Sequence, residues 1–161
     1  MTIDPITSER ILKLHPAIRQ EVQECTISCY NKGVPIRIVQ GFRSFPEQDA
    51  IYAQGRTLPG KIVTNAKGGD SWHNYGLAPD FCLLRMGNQI SWNREEDLDK
   101  DGQKDWHEVV DVFLSKGFEW GGNWTSFPDY PHLQKTLGLT IRRAKELYLA
   151  KKIDSNGYII I

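Results

Sequence analysis

Ser71 to Asp80, SWHNYGLAPD, holds one imidazole and one carboxylate seven residues apart with a glycine turn between them. A neutral His73 offers a ring nitrogen and Asp80 a carboxylate oxygen, both suited to zinc, and an open catalytic zinc takes three protein ligands. Asp129-Tyr130-Pro131-His132, some fifty residues on, supplies the third at His132 and sets Asp129 close enough to act on a metal-bound water. Zinc lowers the pKa of such a water to about 7. Asp129 reads as the general base that hands the proton to a leaving amine, and Pro131 stiffens its path. Arg43 offers fixed, always charged donors that can polarise a scissile carbonyl or hold a substrate carboxylate. Ser71 is placed to hydrogen-bond the substrate or a ligand, and Gly76 and Ala78 leave room beside the metal. The chemistry is metal-assisted hydrolysis. By spacing alone, either segment is equally compatible with structural residues.

A second cluster follows at Asp97 to Glu108, DLDKDGQKDWHE. Asp97, Asp99, Asp101, Asp105 and Glu108 fall at positions one, three, five, nine and twelve of a calcium loop; Gln103 gives its carbonyl at seven and Gly102 the turn at six. The preceding Ile90 to Asn93 looks extended, so the usual pair of flanking helices is not expected. The competing reading is a solvated acidic loop capping the helix that follows. His15 reads as a capping or packing residue, and His107 as lying on the exposed side of a helix. Trp72, Tyr75, Trp120 and Trp124 either line a groove or pack core and lid.

These groups need a framework. The 161 residues are 40% hydrophobic, enough for a single domain with one core and no room for a second. Twenty basic and twenty acidic residues cancel, which argues against nucleic acid or an anionic membrane as partner. The N-terminus lacks the basic start and apolar run of a secretory signal, and no apolar stretch reaches a membrane span. Cytoplasmic synthesis and a monomer are expected. Cys25, Cys29 and Cys82 are an odd number in apolar contexts and read as buried free thiols.

Turn signals divide the chain into short elements. Thr7 or Ser8 is expected to cap a helix through Leu14, and Pro16 to start a second to about Lys32, with Ile18, Val22, Cys25 and Cys29 inward. Val34 to Gln40 reads as a strand that delivers Arg43 at its end. A helix from Pro46 to Gln54 and a loop from Arg56 to Asp70 follow. Leu77 to Leu84 reads as a strand whose Pro79 marks a sheet edge or bulge, with Asp80 projecting from its beginning. Gln89 to Trp92 is a short strand, Asp105 to Lys116 an amphipathic helix with Val109, Val112 and Phe113 inward, and a short strand carries His132. Thr140 caps a last helix to about Lys151, before a turn at Ser155-Asn156-Gly157. The class is α+β, a small mostly antiparallel sheet with packed helices.

Gln40 to Ser44, Gln48, Tyr52 to Thr57, Thr64 to Gly69, SWHNYGLAPDF and WGGNWTSFPDYPHLQ together resemble the zinc-dependent L-alanyl-D-glutamate peptidases. These include phage endolysins and bacterial wall hydrolases, and belong with the D-alanyl-D-alanine carboxypeptidases. The resemblance runs from about Val34 to Gln134, leaving residues 1–33 as N-terminal helices and 140–161 as a C-terminal helix and tail. The S-x-H-x-x-G-x-A-x-D core is met at Ser71, His73, Gly76, Ala78 and Asp80, and the acidic-x-x-His segment at Asp129 and His132.

The resemblance implies a Hedgehog and D,D-peptidase type of fold, zinc on His73, Asp80 and His132, Asp129 as base, and Arg43 in transition-state stabilisation, with Gln48 in substrate binding or support. It implies cleavage of peptidoglycan stem peptides, and the Asp-Tyr-Pro-His form favours the L-alanyl-D-glutamate endopeptidases. A D,D- or L,D-carboxypeptidase, a non-catalytic wall-binding module and a calcium-regulated interaction domain stand as alternatives. A wall hydrolase without a signal would reach its substrate after a holin-type lesion.

Overall fold

The computed structural model describes residues 3–161; Met1 and Thr2, at the start of the segment read above for a secretory signal, lie outside the described residues. Among the described residues five helices surround two small antiparallel sheets: α1 (Pro5–Leu12), α2 (Pro16–Asn31), α3 (Phe45–Ala53), α4 (Asp105–Ser115) and α5 (Ile141–Leu149). The first sheet has the order β1 (Ile36–Gln40), β2 (Asp80–Leu84), β3 (Ile90–Ser91), and the second pairs β4 (Glu119–Trp120) with β5 (Leu133–Gln134). The α+β expectation holds. None of these helices is long and apolar enough to cross a membrane.

Local chemistry sets most helix starts. Ser44 caps α3 through a full capping box with Glu47, which moves the start one residue ahead of Pro46, and Thr140 caps α5 as expected. His15 caps α2: its Nδ1 accepts the Ala17 N–H at 3.1 Å while its Nε2 donates to the Ile159 carbonyl at 2.9 Å. The cap of α1 is Asp4, not Thr7 or Ser8, because Pro5 fills the first helical position and leaves Asp4 to receive the Thr7 N–H. Thr7 is buried instead, its hydroxyl donating to Asp4 and accepting the Ile38 N–H, which ties α1 to β1.

The strands are shorter than their patterns predict, for identifiable reasons. Val34 spends its N–H on the Cys29 carbonyl in closing α2, so β1 begins at Ile36. Leu77 and Pro79 give their carbonyls to Lys135 and Leu133, so the segment before Asp80 joins the second sheet, and β2 starts only at Asp80. The β1–β2 register shifts between Ile38 and Gln40, opposite Asp80, which is the irregularity that Pro79 announced. His132 bridges Asp80 one residue ahead of β5, since its own N–H turns back to the Asp129 carbonyl. This crossing of the two sheets sets His132 beside Asp80.

Leu14, Ile18 and Val22 of the N-terminal region meet Ile36, Ile38, Phe81 and Leu83 of the sheet, with Val109 and Phe113 of α4 closing a continuous core. Val112 of α4, expected inward, is only half-buried; Trp106 and Val110 take that place, and the Trp106 ring lies 4.5 Å from that of Phe81. The three cysteines are free and buried. Desolvation pushes Cys25 up to about 11 and Cys29 to about 12, which keeps both as inert thiols at neutral pH.

Candidate active site

His73 sits on a single 3-10 turn, Trp72–Tyr75, started by a Ser71 and Asn74 capping box and ended by Gly76. Gly76 has φ +68°, and a Cβ there would stand 2.7 Å from the His15 backbone nitrogen, so only glycine lets the turn seat against the start of α2. The His73 ring is buried, with Nδ1 2.8 Å from the Gly41 carbonyl. A carbonyl only accepts, so Nδ1 carries the proton and the Nε2 lone pair faces the cleft. His132 is arranged in the mirror sense. Its Nε2 lies 3.0 Å from Gln134 Oε1, and Gln134 Nε2 donates at 2.8 Å to Glu119 Oε2, which orients the amide and leaves the His132 Nδ1 lone pair free.

The free atoms converge. His73 Nε2 and His132 Nδ1 are 3.2 Å apart, and Asp80 Oδ1 lies 3.2 Å from the first and 3.3 Å from the second. Asp80 Oδ1 is buried and lacks a well-directed hydrogen-bond donor among the described residues. Burial opposes its ionisation, yet the His73 and His132 imidazoles hold its carboxyl well below the usual carboxylate range. A tetrahedral zinc with bonds of about 2.0–2.1 Å requires edges of about 3.3 Å between its ligand atoms, which this triangle already has. Two aimed lone pairs and one orphaned carboxylate oxygen thus fit a divalent metal.

Around the triangle runs a cleft of about 600 Å³, lined by Arg43, Ser71, Trp72, Asp129 and Trp124 among others, with Val63 and Phe127 on its apolar walls. Asp129 sits on a loop closed by its own N–H to the Gly121 carbonyl at 3.0 Å and by the Gly121 N–H to the His132 carbonyl at 2.9 Å. A Cβ at Gly121 would stand 2.6 Å from the Asp129 carbonyl oxygen, so this glycine permits the close approach. Desolvation, with Asp80 adding like-charge repulsion, raises the Asp129 carboxyl above its ordinary value. The part-buried Arg43 guanidinium donates to Gln48 Oε1 at 2.9 Å. Its backbone is clamped by the His73 carbonyl and the Asn74 side chain.

Arg43, His73, Asp80, Asp129 and His132 therefore meet at one cleft, and the other expected residues are placed differently. Gln48 is fully buried and off the cleft wall; it joins Arg43 to the Ala66 carbonyl at 2.9 Å, so it holds the arginine against the 64–66 loop. Ser71 lines the cleft and also receives the His73 N–H. Of the four aromatics, Trp124 and Trp72 line the cleft, Tyr75 is buried, and Trp120 packs on the core and donates to the Tyr130 carbonyl. Asp97, Asp99, Asp101, Gln103, Asp105 and Glu108 lie outside the cleft.

Gln134, Glu119, Asn74 and the Gly41 carbonyl are supporting groups that sequence reasoning missed. A signal for Gln134 was present, since residues two apart in an extended segment point the same way and Gln134 follows His132 by two. Gln134→Ala is expected to weaken metal affinity by about 10-fold to 100-fold, measured by competition with a chelating dye, with the fold intact by circular dichroism. Unchanged affinity would remove Gln134 from the metal's support.

Residues 64–135 match the family model described as D-alanyl-D-alanine carboxypeptidase. The peptidoglycan L-alanyl-D-glutamate endopeptidase CwlK of Bacillus subtilis is 50% identical over 121 residues, covering 75% of this chain and 72% of that protein. An L-alanyl-D-glutamate peptidase of a Listeria phage is 42% identical over 104 residues, 65% of this chain but only 31% of that one. Among solved structures, the Serratia marcescens L-Ala D-Glu endopeptidase ChiX aligns with a TM-score of 0.54 at 21% identity, over 88% of this chain and 92% of that one. The LD-carboxypeptidase LdcB aligns with 0.56 at 19%, over 83% and 64%. The last two likenesses speak for the fold alone. With 50% identity over 121 aligned residues that cover 72% of the Bacillus enzyme, and with the metal-type triangle inside the matched segment, the chain belongs to the L-alanyl-D-glutamate peptidase family of enzymes, related to the D-alanyl-D-alanine carboxypeptidases.

Proposed function

We propose that this chain is a zinc peptidase that hydrolyses the L-alanyl-D-glutamate bond of peptidoglycan stem peptides, acting at the bacterial cell wall. The observation that carries the metal chemistry is the triangle of His73 Nε2, His132 Nδ1 and Asp80 Oδ1, each atom 3.2–3.3 Å from the others. The substrate rests on the activity named for the Bacillus and phage relatives. His73, Asp80 and His132 would hold the zinc, which when bound supplies a Lewis acid that polarises oxygen and makes water acidic near neutral pH.

The protein's own groups do the rest. The Gly41 carbonyl and Gln134 keep each imidazole in the tautomer that leaves a lone pair for the ion. Asp129, on the wall of the same cleft, takes the proton of the attacking water and returns it to the departing amine nitrogen. Arg43, braced by Gln48, stands as the cation for the oxygen that becomes negative as water adds to the carbonyl.

Mass spectrometry of purified peptidoglycan treated with the zinc-loaded protein tests the reading. New stem peptides beginning at D-glutamate, absent after chelation, are the expected products. Release of free D-alanine instead would make the enzyme a carboxypeptidase. No new termini from several wall types, at one zinc per chain, would leave a wall-binding module.

A further inference from the structure

Asp129 and His132 share one short segment, Asp129-Tyr130-Pro131-His132, and every carbonyl in it is held. The Asp129 carbonyl accepts the His132 N–H at 3.2 Å, that of Pro131 the Phe81 N–H at 3.1 Å, and that of His132 the Gly121 N–H at 2.9 Å. These contacts are made by main chain, through the turn itself and the crossing of the sheets. The Tyr130 carbonyl differs, because it accepts the indole N–H of Trp120 at 2.7 Å. This bond sets how the chain turns between the base and the metal-type histidine, and a side chain supplies it.

Trp120 is seated for that contact. A Cβ at Gly122 would stand 2.2 Å from Trp120 Cζ2, so glycine at 122 lets the indole fold back over its own chain. The ring of His107 on α4 meets the indole edge-on at 5.6 Å, and the Tyr130 ring lies 6.0 Å from it. Over the Tyr130 ring sits the exposed Arg94, its guanidinium carbon 3.6 Å from the centroid. The neighbouring Glu95 carboxylate pairs with Lys104. The Arg94 backbone is fixed in a turn: Asn93 Oδ1 accepts the Glu95 N–H at 3.1 Å, and the Asn93 N–H goes to Ser91 Oγ at 3.2 Å. A stiff turn thus aims a cation at an aromatic face, where the ring quadrupole attracts it. Trp120, Tyr130 and Arg94 all lie outside the lining of the cleft, so they reach the chemistry only through the segment they hold.

We propose that Trp120 and Arg94 are positioning residues that clamp Tyr130 and thereby hold the Asp129 carboxylate where it meets the attacking water. The inference rests on the reading of Asp129 as general base. A misplacement of about 1 Å at a reacting group costs on the order of 10²-fold in rate. Substrate binding is made by cleft walls that the clamp does not touch, so the loss falls on kcat and spares KM. His132 is braced separately by Gln134, so zinc is retained when the clamp is loosened.

Steady-state kinetics of the zinc-loaded full chain on soluble peptidoglycan stem peptides, arranged as double-mutant cycles with Asp129→Ala, test the clamp. Trp120→Phe keeps an aromatic ring and loses the N–H; its kcat is expected to fall at least about tenfold at unchanged KM and zinc content. Arg94→Gln changes an exposed site that does not endanger the fold, and is expected to lose about twofold to fivefold in kcat. Arg94→Lys, which keeps a cation over the ring, should recover most of that loss. Added to Asp129→Ala, neither Trp120→Phe nor Arg94→Gln lowers the residual rate further, because the group through which they act is gone. A parental kcat in both Trp120→Phe and Arg94→Gln would overturn the proposal while leaving Asp129 as the base. Losses that multiply in full in the double variants would do the same. Parental turnover in Asp129→Ala itself would overturn the base assignment, and the clamp with it.

Discussion

His132→Ala yields a folded protein that retains no zinc and shows no peptidoglycan cleavage. The substitution removes one of three lone pairs that meet within 3.3 Å and leaves Asp80 facing a single imidazole. It also strips Gln134 of its partner, so the chain from Glu119 through Gln134 no longer ends at the ion. Losing a direct ligand must exceed the roughly 10-fold to 100-fold that loss of an outer partner costs, which puts affinity below what survives desalting. The fold is expected to persist, because His132 is not part of the hydrophobic cluster, whereas Leu133 beside it is. Elemental analysis of desalted protein gives the zinc count, and circular dichroism checks the fold. One zinc per chain in the variant would remove His132 from the ligand set. His73→Ala carries the same expectation.

Asp129→Ala keeps its zinc and loses turnover by about 10²-fold to 10⁴-fold, the contribution of a positioned general base. Its backbone contacts with Gly121 and His132 do not involve the carboxylate, so truncating the side chain leaves the loop and the triangle in place. What disappears is an acid that lines the cleft with its carboxyl raised by burial and by Asp80. The split between retained metal and lost kcat separates this role from that of a ligand. An Asp129→Ala protein within tenfold of the parent rate, at equal zinc content, would take the base out of the mechanism.

The difference between these two substitutions reflects how each residue is held. His132 is aimed by side chains from two strands, whereas Asp129 is aimed by its own loop and the glycine beneath it. A long-range partner such as Glu119 leaves no local trace next to His132, although it stands fifteen residues from Gln134 in the chain. The same holds for Gln48, whose role follows from Arg43 on one side and Ala66 on the other. Asp4 shows the converse error: Thr7 and Ser8 have the right side chains for a cap, but Pro5 had already set where the helix starts.

Short-range chemistry was therefore legible in the amino-acid order. Pro16 as a helix start, Thr140, the glycine after His73 and the alternation leading to Arg43 are choices made by neighbouring residues, and the structure keeps them. The identity of the convergent groups was legible only through the family resemblance, because the spacing of imidazole and carboxylate in these segments suits structural residues equally well. Tertiary structure alone decided which ring nitrogen faces the cleft, which aromatics line it, and that Asp80 begins its strand where two sheets cross. The physical reason is that lone-pair direction and burial depend on partners many residues away, such as Gly41 for His73, thirty-two positions earlier, and no local pattern encodes that distance.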